Sequence, residues 1–131
     1  MPSARIEIRR DYSQADELRL MSGVHDAIVE AFKVNPVYRN ITLVVHAPHR
    51  FLGRLDCPDP ERLTNIDIFV LPGRSVSAKR NLYRLLVLHL QTLGIPKACV
   101  LIRLHEMKAE NFGVRGGVPL CDVELGYPVE R

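Results

Sequence analysis

The chain has 131 residues, a length that buries about two-thirds of its unfolded surface around one core, so no second domain is required. A hydrophobic fraction of 47% and a charged fraction of 25% exclude a disordered or fibrous protein. The formal net charge of +3, with Lys and Arg spread along the chain, argues weakly for small anionic ligands and hardly at all for nucleic acid.

The opening MPSARIEIRR has no apolar signal region, and no run of about 18 apolar residues follows, so neither a recognisable export signal nor a membrane span is expected. Residues 5–9 alternate, with Ile6 and Ile8 on one face, and predict a strand. Ser13 or Asp11 then caps a helix whose Leu18, Met21, Val24, Ile28, Ala31 and Phe32 recur at spacings of three and four. Asn35 and Pro36 end it, and ITLVV at 41–45 reads as a buried strand. Segment 47–65, rich in Pro, Asp and Arg, is an ordered surface loop.

The second half repeats the scheme. IDIFVL at 66–71 is a strand, Pro72 and Gly73 turn the chain, and Ser75 caps a helix carrying Leu82, Leu85, Leu86, Leu90 and Leu93. Gly94 and Pro96 stop that helix, and CVLIRL at 99–104 is the fourth strand. The offset that carries Ser13 onto Ser75 also carries Ile6 onto Ile68 and Ile8 onto Val70, so the halves read as copies of one unit. The remaining stretch holds Gly113, Gly116 and Gly117 and suits a hairpin or a subunit-contacting arm.

The expectation is therefore one α+β domain over 1–131: repeat one at 2–46, loop 47–65, repeat two at 66–105 and an arm at 106–131. Two β-α-β units with right-handed crossovers make a four-stranded mixed sheet with two helices on one face. The opposite face is left bare. Ile6, Ile8 and an apolar fourth strand predict that this face is buried as well, through oligomerisation. Cys57, Cys99 and Cys121 are odd in number and lack C-x-x-C or metal spacing, which reads as reduced thiols in a cytoplasmic protein.

Met-Pro directly before the first strand, VHDAIVEAF, VVHAPHRF, GRSVSAKRNLY and ENFGVRGG occur in this order over almost the whole chain. Together they resemble the tautomerase superfamily, in its longer members built from two fused β-α-β units. The resemblance implies a homotrimer with a barrel-like core of sheets and an active site around an N-terminal proline. It also implies chemistry on 2-oxo acids and related enols, by proton transfer or water addition, without a cofactor.

Moving a proton from an enol oxygen to carbon requires one group that removes it and returns it. Loss of Met1 would expose Pro2 as a secondary amine suited to that role, whereas Met-Pro elsewhere merely starts a strand. Arg74, in the turn before the second helix, is placed to clamp a substrate carboxylate beside a helix N-terminus, and the resemblance favours this over a solvated loop arginine. His25 on the first helix matches a histidine of relatives that orients substrate or water; a hydrogen-bonded boundary histidine is the equal alternative. Some relatives carry a second arginine just before Arg74. Leu71, Pro72 and Gly73 stand there in this chain, which points to Arg39 or a neighbouring subunit for a second cation.

Relatives that decarboxylate or hydrate have an acid near Tyr38, and PVYRN has none; simple tautomerisation is thereby favoured over decarboxylation or dehalogenation. Tyr38 itself is a candidate substrate contact. Phe112 stands where relatives carry a tryptophan and would wall the proline from water, or serve as a core or interface aromatic. His46 and His49 lack a converging third ligand, so no metal is expected. Two rivals stay open: a tautomerase-fold trimer with hydratase, decarboxylase, dehalogenase or no activity, and a ferredoxin-like RNA-binding module. The latter would stack bases on strand aromatics, of which the two central strands offer only Phe69.

Overall fold

The computed structural model describes residues 2–123. Strand β1 (Ser3–Ile8) leads into helix α1 (Gln14–Phe32) and strand β2 (Ile41–Val45); strand β3 (Thr64–Val70), helix α2 (Val76–Gln91) and strand β4 (Val100–Glu106) repeat the unit. Short strands β5 (Gly113–Val114) and β6 (Val118–Pro119) then form an antiparallel hairpin. Arg115, Gly116 and Gly117 turn that hairpin with φ of 47°, 75° and 117°, the left-handed region that glycine enters without strain.

Both helices begin as their sequences predict. The Ser13 hydroxyl accepts from the Asp16 amide at 3.1 Å and the Ser75 hydroxyl from the Ala78 amide at 3.1 Å, each satisfying an amide that the first turn leaves without a partner. Ser13, rather than Asp11, is the cap of α1. Lys33 closes α1 in the left-handed conformation at φ 55°, and the chain turns towards β2.

The sheet runs in the order β2-β1-β3-β4. β1 is parallel to β2 and β3 to β4, each across its own helix, while β1 and β3 pair antiparallel at the centre. Within β1 and β3, Ala4, Ile6, Ile8, Ile66, Ile68 and Val70 are buried with Leu20, Val24, Ile28, Leu82, Leu86 and Leu90 of the helices in one core. α1 and α2 also pack on each other, where the His89 ring lies against Gly23 and its Nε2 is 2.9 Å from the Arg19 carbonyl.

Ile6 and Ile8 therefore face the helices, a correction to the expectation that they help bury the bare face. Alternation from those residues places Ser3, Arg5, Glu7, Asn65, Asp67, Phe69, Leu101, Arg103 and His105 on the side away from the helices. The fourth strand extends to Glu106 and is not apolar on that side. The face carries charge instead: Arg103 grips Asp67 through Nε and Nη2, both at 2.8 Å, and His105 Nε2 lies 2.7 Å from the same carboxylate. His105 also stacks on Phe69 with ring centroids 4.5 Å apart.

A second correction concerns the thiols. Cys57 in the connecting loop and Cys99 at the entry to β4 are joined in a disulfide, and among the described residues Cys121 alone is free. Sequence spacing gave no hint, because folding brings together residues 42 positions apart. Among the described residues no helix is long and apolar enough to cross a membrane. Positions 124–131 of the expected arm lie outside the described residues.

Candidate active site

Ser3 is paired with Phe69, so the same antiparallel register continued by one residue sets Pro2 opposite Val70. Val70 in turn is paired with Glu106. Pro2, Val70 and Glu106 thus form a row at one end of the sheet, on the helix side by alternation from Ala4. Pro2 is buried. The Met107 amide donates to the Val70 carbonyl at 2.8 Å and ties the exit of β4 to this row.

The N-terminus of α2 begins just past the row, because β3 ends at Val70 and the turn Leu71-Pro72-Gly73 is short. Gly73 makes that turn at φ 117°. Arg74 follows it, half-buried, and donates Nη1 to the Leu71 carbonyl at 3.3 Å and Nη2 to the Phe32 carbonyl at 3.4 Å. Its guanidinium also lies 4.9 Å from the centre of the Phe32 ring. A cation is thereby held between the last turn of α1 and the first turn of α2, where carbonyls at the former attract it and the amides at the latter favour an anion beside it.

Tyr38 and Arg39 reach the same end of the molecule through the backbone. The Asn35 carboxamide accepts from the Val37 amide at 3.0 Å, its carbonyl accepts from the Tyr38 amide at 3.0 Å, and the Ala4 amide then donates to the Asn40 carbonyl at 2.8 Å. This docks the PVYRN turn beside the start of β1, with Tyr38 half-buried and Arg39 exposed. Pro2, Tyr38, Arg39 and Arg74 are accordingly placed at one end of the fold.

His25 and Phe112 are not tied to that group. His25 is half-buried, seven residues before Phe32, or about 10 Å along the helix axis from the end that holds Arg74. Phe112 is half-buried in the loop after β4, where its carbonyl accepts from the Leu120 amide at 2.8 Å.

Two arrangements escaped the sequence reading. Lys79, in the first turn of α2, places Nζ 3.0 Å from Glu106 Oε1. Nothing in their spacing of 27 positions signals this, but the register that ends β4 beside Val70 does. The other is Asp67 on the open face. Burial pushes its carboxyl up, yet the hydrogen bonds from Arg103 and His105 prevail and hold it below the ordinary carboxylate value; Arg103 is raised in return, mainly by its bond to Asp67.

At the far end of the sheet, Arg9, Arg10, His46 and Glu61 line an open cleft of about 610 Å³. His46 Nε2 sits 2.6 Å from Glu7 Oε2 there. Among the described residues no group of three His, Cys, Asp or Glu side chains is arranged to hold a metal ion.

A model of a tautomerase family, described as "Tautomerase enzyme", matches residues 38–115. No curated protein matches the sequence. Among solved structures, FG41 malonate semialdehyde decarboxylase inhibited by 3-bromopropiolate superposes with a TM-score of 0.85 at 22% identity, over 96% of this chain and 99% of that one. A malonate semialdehyde decarboxylase described for its decarboxylase and hydratase activities gives 0.81 at 21% identity, over 92% and 96% of the two chains. Wild-type fused 4-OT, an asymmetric trimer, gives 0.80 at 19% identity, over 95% and 99%. At these identities the likeness is one of fold.

Proposed function

Because the chain belongs to the tautomerase family, we propose that it is a cofactor-independent isomerase that moves a proton within the enol of a 2-oxo acid, with Pro2 as the base. The observation that carries this reading is the burial of Pro2 at the start of β1, in a row with Val70, which precedes Arg74 and the start of α2 by a short turn. With Met1 removed, the Pro2 nitrogen is a secondary amine. It takes the proton from the enol oxygen and returns it to carbon, while Arg74 holds the carboxylate. Tyr38 and Arg39 border the substrate from the β2 side; His25 and Phe112 would act in an assembly of several chains. In that assembly, a homotrimer with one domain per chain, the open sheet face with its Asp67 cluster lies against neighbouring copies. A small carboxylate is the partner this reading requires, with no role for nucleic acid or membrane.

Glu106 favours a second reading, since it places a carboxylate at the end of the Pro2 row, where a hydratase or decarboxylase would need an acid. Product analysis separates the two: ketone alone for a tautomerase, hydrated product or carbon dioxide for the other.

The direct test is ketonisation of the enol of phenylpyruvate by protein whose intact mass shows Met1 removed, against the same protein with its amino terminus blocked. Turnover by the first and none by the second is expected, with activity falling as pH drops because only the neutral amine accepts a proton. Equal turnover by both would exclude Pro2 as the base.

A further inference from the structure

We propose that Lys79 is the second substrate-binding cation of this site, poised by Glu106, and that the site therefore takes a small acid with two carboxylates. The assignment rests on the reading of Pro2 given above. Lys79 stands three residues before the wholly buried Leu82, so its aliphatic stem runs along the side of α2 that faces the sheet. Its ammonium meets Glu106 at 3.0 Å, with the two side chains 23% and 36% exposed. An ammonium has three N–H donors, and this contact uses one. The pair is open enough for a ligand to reach and shielded enough for a charge there to matter.

Position sets the substrate class. Two strand spacings separate Pro2 from Glu106 across the row, about 10 Å between Cα atoms. Arg74 is turned towards Phe32, at the α1 side of the row, and Lys79 towards β4, at the opposite side. A substrate lying along the row with its reacting carbon near Pro2 meets a cation at each end. A monocarboxylate satisfies one of them; a dicarboxylate satisfies both.

Glu106 supplies the discriminating sign. As a counter-ion it competes with the incoming carboxylate for Lys79, so its removal should tighten dicarboxylate binding, whereas Lys79 removal should weaken it. A pair that only braced the fold would shift both in the same direction. We expect Lys79→Ala to raise KM for the enol of oxaloacetate about five-fold more than for the enol of phenylpyruvate, with little change in kcat. Lys79→Arg should restore the preference, and Glu106→Gln should lower KM for oxaloacetate.

Binding of succinate and butyrate, followed by NMR shifts of the intact protein, reads the same contact without turnover. Succinate favoured by the wild type, lost in Lys79→Ala and kept in Lys79→Arg would support the assignment even if no enol reacts, an outcome that would instead remove the isomerase reading. Unchanged succinate binding in Lys79→Ala, or weaker binding in Glu106→Gln, would overturn the assignment even if Pro2 proves to be the base. Arg39→Ala is the comparison: a loss of dicarboxylate preference there, and not at Lys79, would move the second cation to Arg39.

Discussion

Arg103 and Asp67 face each other across neighbouring strands in a two-point contact, Nε to Oδ1 and Nη2 to Oδ2, both at 2.8 Å. The carboxylate is nearly buried and the guanidinium about half exposed, so the pair is asymmetric: Asp67 needs Arg103 and His105 far more than they need it. Its carboxyl is depressed in the folded chain, so the stabilisation is fully present above the unfolded value of about 4 and is lost as pH falls through the lower folded value. Denaturant midpoints measured from pH 6 down to pH 2 should fall less steeply in Asp67→Asn than in the wild type, and at neutral pH the variant should lose about 1–3 kcal/mol. A parallel pH dependence in both proteins would show that Asp67 does not contribute to acid sensitivity.

Gly23→Ala tests how closely the helices meet. A Cβ at Gly23 would collide with the His89 ring, which must swing away and give up its contact with the Arg19 carbonyl. We expect a loss of about 1–3 kcal/mol by chemical denaturation, despite the better helix propensity of alanine. Shortening the ring in Gly23→Ala/His89→Ala should recover part of it.

Arg74→Ala should lower kcat/KM for carboxylate enols by on the order of 2 kcal/mol, chiefly through KM, and Arg74→Lys should rescue little because a lysine cannot span the Leu71 and Phe32 carbonyls and hold a carboxylate as well. Thermal unfolding of the same variants checks the alternative. A fall in stability without a fall in kcat/KM would assign Arg74 to bracing α1 against the β3 turn.

The Cys57–Cys99 bond closes a loop that includes all of β3 and α2. Cys57→Ser/Cys99→Ser should lower stability by about 2–4 kcal/mol, and reduction of the wild type should bring the two proteins together in a denaturant series. Identical midpoints for oxidised and reduced wild type would mean that the bond contributes nothing.

Local signals were legible in the sequence because they act over three or four residues. The caps at Ser13 and Ser75 and the β-α-β order appear where composition places them, whereas α1 already stops at Phe32 with Lys33 left-handed, ahead of Asn35 and Pro36. What failed depends on long-range register. Alternation around Ile6 and Ile8 announces two faces of a strand but not which one the helices cover. Reading the fourth strand as CVLIRL stops one residue short of His105 and treats as apolar a strand whose Arg103 faces outward with Leu101. Likewise, Cys57 with Cys99 and Lys79 with Glu106 become neighbours only once β3 and β4 are paired. Of the candidate site, Pro2, Tyr38, Arg39 and Arg74 were legible as a group; the acid and the lysine across the row were not.

The antiparallel pairing of Arg5 with Asp67 lies at the centre of the sheet, where the two halves of the chain meet. The offset that superposes the two halves carries Arg5 onto Asp67, Pro2 onto Thr64 and Tyr12 onto Arg74. The Arg5–Asp67 pair thus stands at the centre of the repeat, and each pole of the sheet has its counterpart at the other. Thr64 is an interior residue whose nitrogen is an amide, with no basicity to offer, and Tyr12 occupies the place that Arg74 takes in the second half. If Pro2 is the base, as proposed, proton transfer is confined to one pole, and the other carries the Arg9, Arg10 and His46 cleft instead.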